Sequence, residues 1–289
     1  MKCSVVIPTY NRSDILRLTL ESLVRQDLNH DDFEVLVADD GSSDDTSDVV
    51  KKYMDLMNVR YFFQEDEGYR AAGARNLGIG NVKSDITVFM DAGVMAHSGC
   101  LRAHLASHEA VEGPAAVCGY VFGYTLNNET AEGVISEADL ADVDGTIELW
   151  RKKGLYRDIR EDFFEREGDD FATAPAPWLM YWTFNASVRT DQLRRVGGFD
   201  DAFRNWGGED VDLGYRLHRD GARMFLNRDA MALHWPHPRD WDELHGDAIA
   251  NYKYMAQKYD TPITRLLEIV PTINFFVFND VIRGRKLTH

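Results

Sequence analysis

The stretch "FEVLVADDGSSDD", Phe33 to Asp45, decides how this chain is read. "FEVLVAD" is a short apolar run rich in β-branched residues, which reads as a buried strand. It ends on two aspartates and a glycine, and "DDGSSDD" then opens a second helix. Working outward, "SVVIP" (Ser4 to Pro8) reads as the strand before it, and Asp14 to Gln26 as the helix between them. Downstream come the strand "VRYFFQ", a third helix over "RAAGARNLGIG" and a fourth strand, "DITVFMD". The strand–helix alternation predicts an α/β fold: a mainly parallel, Rossmann-like sheet with helices on both faces.

Sheets of this kind bind ligands at the carboxyl ends of their strands. Here those ends are Thr9-Tyr10-Asn11-Arg12, Asp39-Asp40-Gly41-Ser42 and Asp91-Ala92-Gly93. Three strand ends delivering acids or hydroxyls to one edge point to a site. The alternative is that such residues cap helices, as Ser13 and Ser43 would.

Composition narrows the function classes. With 289 residues, 44% hydrophobic and 28% charged, the chain is an ordinary globular protein with a sizeable core. A net charge of −16 argues against general nucleic-acid binding. The three cysteines, Cys3, Cys100 and Cys118, have no zinc-site spacing, and Cys3 and Cys118 sit in apolar runs as small core residues. "MKCSVVIPTY" meets a proline too soon for a signal peptide, and no apolar stretch is long enough for a bilayer. A cytoplasmic enzyme is expected, with peripheral membrane contact by the apolar C-terminal stretch left open.

From about Gly123 to Pro177 the pattern weakens. Arg157 to Asp170 holds seven acids against three arginines, and a solvated helix is the expected reading. "WLMYWTFNASV" (Trp178 to Val188) is strand-like, and "RTDQLRRVGGFDDAF" reads as helix, double-glycine stop and turn. In "NWGGEDVDLGYRLHRDG" (Asn205 to Gly221) two glycines precede two acids at the first turn of a helix, where its dipole favours negative charge. Helical spacing puts Asp210 in line with Leu213 and Leu217, and pairs Asp212 with Arg216 on another stripe. Asp212 is therefore expected in solvent, while an inward Asp210 needs a partner, a ligand or a job. "ARMFLN" and "AMALHW" read as two short strands, and Asp240 to Tyr259 as a helix.

Taken together, "VVIPTYNR", "VADDGSSDDT", "GARNLGIG" with "VFMDAG", "FNASVRTDQLRRVGGFDDAF" and "NWGGEDVDLGYRLHRDG" resemble the inverting glycosyltransferases of family 2, which have the GT-A fold. The C-terminal half is similar to a galactosyltransferase-related module carrying the WGGED motif. The resemblance spans residues 4 to 221 and implies a nucleotide-sugar-binding half (1–122), an acceptor and catalytic half (123–238) and a C-terminal helical extension (239–289).

It also implies roles. Pro8, Tyr10, Arg12 and Asp40 would surround a uracil with Asp39 close by, since a base wants a flanking ring and a carboxylate for its N3–H. Arg70 and Arg75 would face the diphosphate or support the aspartates, and Asn185 would lie near the donor sugar. Asp210 would be the base that takes the acceptor's proton, with Glu209 on sugar hydroxyls. Trp206 would stack on a sugar, and Gly207 and Gly208 would let sugar and acceptor approach. Trp182, with Trp178 and Tyr181, would line the acceptor side, the alternative being that so dense an aromatic run is core.

One motif departs from the family. Its Asp-X-Asp, whose last acid holds a divalent metal, reads Asp91-Ala92-Gly93 here. Asp91 with His234 or His237 and the diphosphate would still make a weak site for Mn²⁺ or Mg²⁺. The alternatives are that each histidine is a hydrogen-bonded structural imidazole and that Arg70 or Arg75 neutralises the leaving UDP without metal.

The implied reaction moves a hexose or N-acetylhexosamine from a UDP-sugar to a hydroxyl of a glycan, a lipid-linked sugar, a peptide or a small molecule, with inversion. A non-catalytic sugar-nucleotide binder or a degenerate transferase partner is the alternative that Gly93 raises. A nucleotidyltransferase would need a glycine-rich, lysine-bearing loop after the first strand, and "PTYNRSD" has none.

Overall fold

The computed structural model describes residues 1–124, 128–237, 241–272 and 274–288. Its strands are β1 (Cys3–Thr9), β2 (Phe33–Asp39), β3 (Val59–Phe63), β4 (Ile86–Met90), β5 (Val94–Ala96), β6 (Ala115–Phe122), β7 (Asn185–Arg189) and β8 (Arg223–His234). The helices are α1 (Ser13–Val24), α2 (Thr46–Lys51), α3 (Ala71–Ile79), α4 (Cys100–Glu109), α5 (Asn128–Glu137) and α6 (Val143–Lys153), followed by α7 (Glu161–Glu167), α8 (Thr190–Arg195), α9 (Glu209–Arg219), α10 (Trp241–Tyr259) and α11 (Phe278–Arg285).

All eight strands form one sheet in the order β3-β2-β1-β4-β7-β6-β8-β5. Strands β1 to β4 pair in parallel, as the strand–helix alternation predicts, and β7 joins β4 antiparallel. The chain builds outward from β1 through β2 to β3, then α3 carries it back to β4 on the other side of β1. That reversal opens a crevice beyond the carboxyl ends of β1 and β4.

Alternation along the strands feeds two cores. Val6 of β1 and Leu36 of β2 point into one, while Val5, Ile7, Val35 and Val37 point into the other. Helix α1 covers the second core with Leu16, Leu20 and Leu23, and α3 covers the first with Ala72 and Ile79. Gly78 lets α3 settle onto β1, because a Cβ there would lie 2.6 Å from Val6 Cγ1.

Several elements differ from the sequence reading. "ARMFLN" and "AMALHW" merge into the single strand β8, which β6 follows with a register shift between Gly119 and Tyr120. "WLMYWTFNASV" begins as a 3-10 turn, Pro177–Met180, and only Asn185–Arg189 is strand. Neither Ser13 nor Ser43 caps a helix with its side chain: Asp44 accepts from the amides of Ser13 at 3.0 Å and Thr46 at 3.1 Å, tying the starts of α1 and α2 together. The start of the helix read from Asp240 lies outside the described residues, and α10 begins at Trp241.

Two charged segments expected in solvent are inside. Within Arg157 to Asp170, Phe163 and Phe164 are buried and the Asp158–Arg160 pair is fully buried at 2.7 Å. Arg160 also donates to the carbonyls of Gly119 and Met180, so the excess of acids hid a cross-brace. Asp212 is buried as well. It pairs with Arg216 as predicted, and it also accepts from Lys258 Nζ and Tyr259 Oη, each at 2.7 Å. These bonds anchor α10 against α9.

Candidate active site

Two cavities meet above the crevice. The first, about 440 Å³, is lined by Pro8, Tyr10 and Arg12 after β1, Asp40 after β2, and Asp91 after β4. The second, about 580 Å³, lies over the start of α9 and is lined by Gly207, Gly208, Glu209 and Asp210 with Trp182 and Thr183. Tyr69, Arg75, Asp91 and Trp206 line both. The strand ends and the WGGED turn, far apart in sequence, thus share one wall.

The first cavity is shaped by local hydrogen bonding. Asp40 accepts from Gln64 Nε2 and from the Arg70 amide at 2.8 Å, and burial raises its carboxyl above the usual range. Asp39 is fully buried behind it, taking Tyr61 Oη at 2.6 Å and the Ser42 amide at 2.8 Å, so it positions the turn. Gly41 has φ +95°, and any Cβ there would collide with the Asp66 backbone at 2.5 Å, which brings the 64–68 loop in close. Tyr10 Oη donates to Asp66 at 2.9 Å across that loop. Arg70 turns away from the cavity, pairing with Glu67 and lying 3.6 Å from Asp40. It lines neither cavity.

Arg75 takes the central place. Its buried guanidinium donates to Asp91 Oδ1 and to Glu209 Oε1, both at 2.9 Å. Burial alone would pull its pKa down, yet the two carboxylates hold it above the ordinary arginine value. Burying one cation between two anions is tolerable only because both pairs are hydrogen-bonded.

Asp210 is the second residue of α9, in line with the buried Leu213 and Leu217. Burial first and the Glu209 charge second push its carboxyl up to about 7, with Arg75 acting against them. A carboxylate so placed is a good proton acceptor near neutrality. Gly207 and Gly208 have φ +87° and +92°, the left-handed region that favours glycine. A Cβ on Gly207 would also meet Ala248 of α10 at 3.3 Å, so a neighbouring helix makes the close approach there. Asn251 of α10 clamps the turn, donating to the Gly207 carbonyl at 2.6 Å and reaching those of Asn205 and Trp206.

Other expected residues sit elsewhere. Asn185 is fully buried, donating to the Ala230 carbonyl at 2.9 Å with its oxygen 2.9 Å from His104 Nε2, and it lines neither cavity. It holds strands together. Trp178 and Tyr181 are core residues, and of that aromatic run Trp182 and Phe184 reach the second cavity. Sequence reasoning missed Tyr69, Thr183, His245, Tyr252 and Phe275, all on cavity walls. The spacing of His245, Ala248, Ile249 and Tyr252 marks one face of α10, a signal visible in the sequence without indicating what that face meets.

Among the described residues, no three His, Cys, Asp or Glu side chains gather as a metal-binding group. Asp91 is committed to Arg75. Gly93 has φ +95°, and a Cβ there would meet Ile15 Cδ1 at 3.2 Å, so the backbone is not set to present an acid at that position. His234 is buried against Tyr124, with ring centroids 4.9 Å apart, and lines neither cavity. His237 lines the first cavity, 2.7 Å from Arg12 Nη1.

Residues 4–166 match the family described as glycosyl transferase family 2, and residues 171–234 match the N-terminal domain of galactosyltransferase. Validoxylamine A glucosyltransferase of Streptomyces hygroscopicus subsp. jinggangensis (strain 5008) is 37% identical over 276 residues, covering 94% of this chain and 64% of the relative. The chain therefore spans somewhat under two thirds of that relative's length. Among solved structures, S. aureus TarS 1-349 in complex with UDP-GlcNAc superposes with a TM-score of 0.64 at 17% identity, covering 99% of this chain and 71% of that one. The mannosyltransferase PcManGT from Pyrobaculum calidifontis, in complex with GDP-Man and Mn²⁺, gives 0.62 at 18% identity, covering 92% and 68%. These likenesses show a GT-A fold, and the chain belongs to glycosyl transferase family 2.

Proposed function

We propose that this chain transfers a hexose or N-acetylhexosamine from a UDP-sugar to an acceptor hydroxyl, with inversion at the anomeric carbon. The observation that carries the reading is the junction of the two cavities at Arg75 and Asp91, with Asp210 lining the second. A donor in the first cavity has its nucleotide beside Pro8, Tyr10 and Asp40 and its sugar at the junction. An acceptor in the second puts a hydroxyl against Asp210. The acceptor oxygen attacks the anomeric carbon as its proton passes to Asp210, and the bond to UDP breaks on the opposite face. One in-line displacement inverts the centre. Negative charge growing on the leaving diphosphate is met by Arg12 and Arg75 in the cavity wall.

TarS and PcManGT are named with UDP-GlcNAc and with GDP-Man and Mn²⁺, which supports a nucleotide-sugar donor without choosing the sugar. No step above passes through a metal. A calorimetric titration of UDP, with Mn²⁺ and then with EDTA, tests the donor site: binding under both conditions is expected, and binding under neither would sink the reading. Release of UDP from a panel of UDP-sugars then identifies the donor.

A further inference from the structure

The second cavity has the wall of a receptor for a positively charged group. Asp91, Glu209 and Asp210 bring three carboxylates to it, while its basic side chains among the described residues are Arg75, already shared by two of them, and the exposed His245. Glu209 uses only Oε1 on Arg75. Its Oε2 is buried, in a residue 6% exposed, and has no hydrogen-bond partner among the described residues. Thr183 Oγ1, on the same wall and in a residue 1% exposed, is likewise without one. A buried carboxylate oxygen and a buried hydroxyl left unpaired are costly unless a ligand takes them up. Around them stand Trp182, Trp206 and Tyr252, whose ring faces attract a cation.

We propose that the acceptor is a compact polyol bearing a basic nitrogen, whose ammonium sits against Glu209 and the aromatic wall while a neighbouring hydroxyl faces Asp210. This rests on reading the second cavity as the acceptor side, and adds to it what the acceptor carries. A cavity of about 580 Å³ takes a ligand of one to a few rings. A phosphate or uronate would meet the carboxylates as a like charge. An ammonium supplies the donors that Glu209 Oε2 lacks. It also offsets the negative charge that hinders ionisation of Asp210, so the right acceptor readies its own base. Tyr252 and Phe275 come from the C-terminal segment, beyond the residues matched by either family model.

The test is a calorimetric titration of the whole chain, saturated with UDP, with glucosamine, glucose, N-acetylglucosamine and glucose 6-phosphate. Glucosamine is expected to bind about tenfold more tightly than glucose or N-acetylglucosamine, the worth of one desolvated cation contact, and the phosphate more weakly than all three. Glu209→Gln should shrink the glucosamine advantage, and Thr183→Val should weaken the three unphosphorylated sugars together. Equal affinity for glucosamine and glucose in the wild type, or preference for the phosphate, would overturn the proposal whether or not either variant folds. The readout is binding, so the two claims can fail separately. Discrimination without UDP release from any donor would refute transfer alone, and transfer to glucose at the same affinity as glucosamine would refute the amine alone.

Discussion

Arg75 Nη1 lies 2.9 Å from Glu209 Oε1, joining the helix before β4 to the first residue of α9 across 134 positions of sequence. The same guanidinium holds Asp91 at 2.9 Å. It therefore does two jobs: it fixes the WGGED turn relative to the strand ends, and it keeps a positive charge where the two cavities meet.

Removing that charge leaves two carboxylates, the buried Glu209 and the partly exposed Asp91, without the cation between them. Arg75→Met is expected to cost about 3 kcal/mol of stability, the usual penalty for breaking a buried pair. Arg75→Lys should fold better yet remain impaired in turnover, because an ammonium does not reproduce the two-pronged geometry. Urea melts of both variants beside their UDP-release rates check this. Wild-type rates in Arg75→Lys would show that the charge alone suffices.

Asp210 should trade stability for function. Its folded carboxyl titrates near 7, above the ordinary 3.8, so the folded state holds a proton that the unfolded state releases. The sign follows: this group's contribution is favourable at acid pH and is lost as pH rises through about 7. Asp210→Asn should therefore melt higher than the wild type at pH values above that point, with the gap narrowing in acid. Thermal melts across a pH series check it, and a variant less stable than wild type in mild alkali would contradict it.

The Asp212 cluster couples α10 to α9. With Arg216, Lys258 and Tyr259 all on one buried carboxylate, Asp212→Ala should cost about 3–5 kcal/mol. Because α10 also carries Asn251, which clamps the Gly207 turn, the damage should extend to the second cavity. Acceptor KM is expected to rise while UDP affinity holds. Loss of UDP binding at full helicity would instead place this cluster under the donor site.

Arg160 lies beneath the aromatic wall, its guanidinium 4.7 Å from the Phe184 ring and 5.7 Å from the Trp182 ring. Arg160→Lys, which keeps charge and loses the planar fork, should loosen both rings. Indole fluorescence and acceptor KM should change more than UDP affinity does. Unchanged acceptor kinetics would mean the pair only braces β6.

The parallel half of the sheet was legible because short apolar strands and polar strand ends are local signals, and Asp40, Asp91 and Asp210, singled out by their places in motifs, line the cavities. Asp212 was misread because an i,i+4 pair looks the same on an exposed face as on a buried one. Lys258 and Tyr259, which bury it, lie 46 and 47 residues away. The Arg157 to Asp170 segment failed for a similar reason: its composition counts acids, while Asp158 and Arg160 are paired by the fold. Asn185 has the motif's identity but faces His104, and the direction in which a strand residue points is set by register, which no single motif encodes. The wall from α10 was out of reach because periodicity shows that a face is apolar and not what it covers.

The central claim is that Asp210 accepts the acceptor's proton, and the most direct measurement is UDP release against pH for wild type and Asp210→Asn, with UDP affinity taken on the same samples. The wild-type rate should rise with an acid limb near pH 7, where the carboxyl loses its proton. Asp210→Asn should lose about 10²–10⁴-fold in rate at every pH while binding UDP as the wild type does. A variant that keeps its rate within a few-fold and retains the acid limb would show that another group takes the proton.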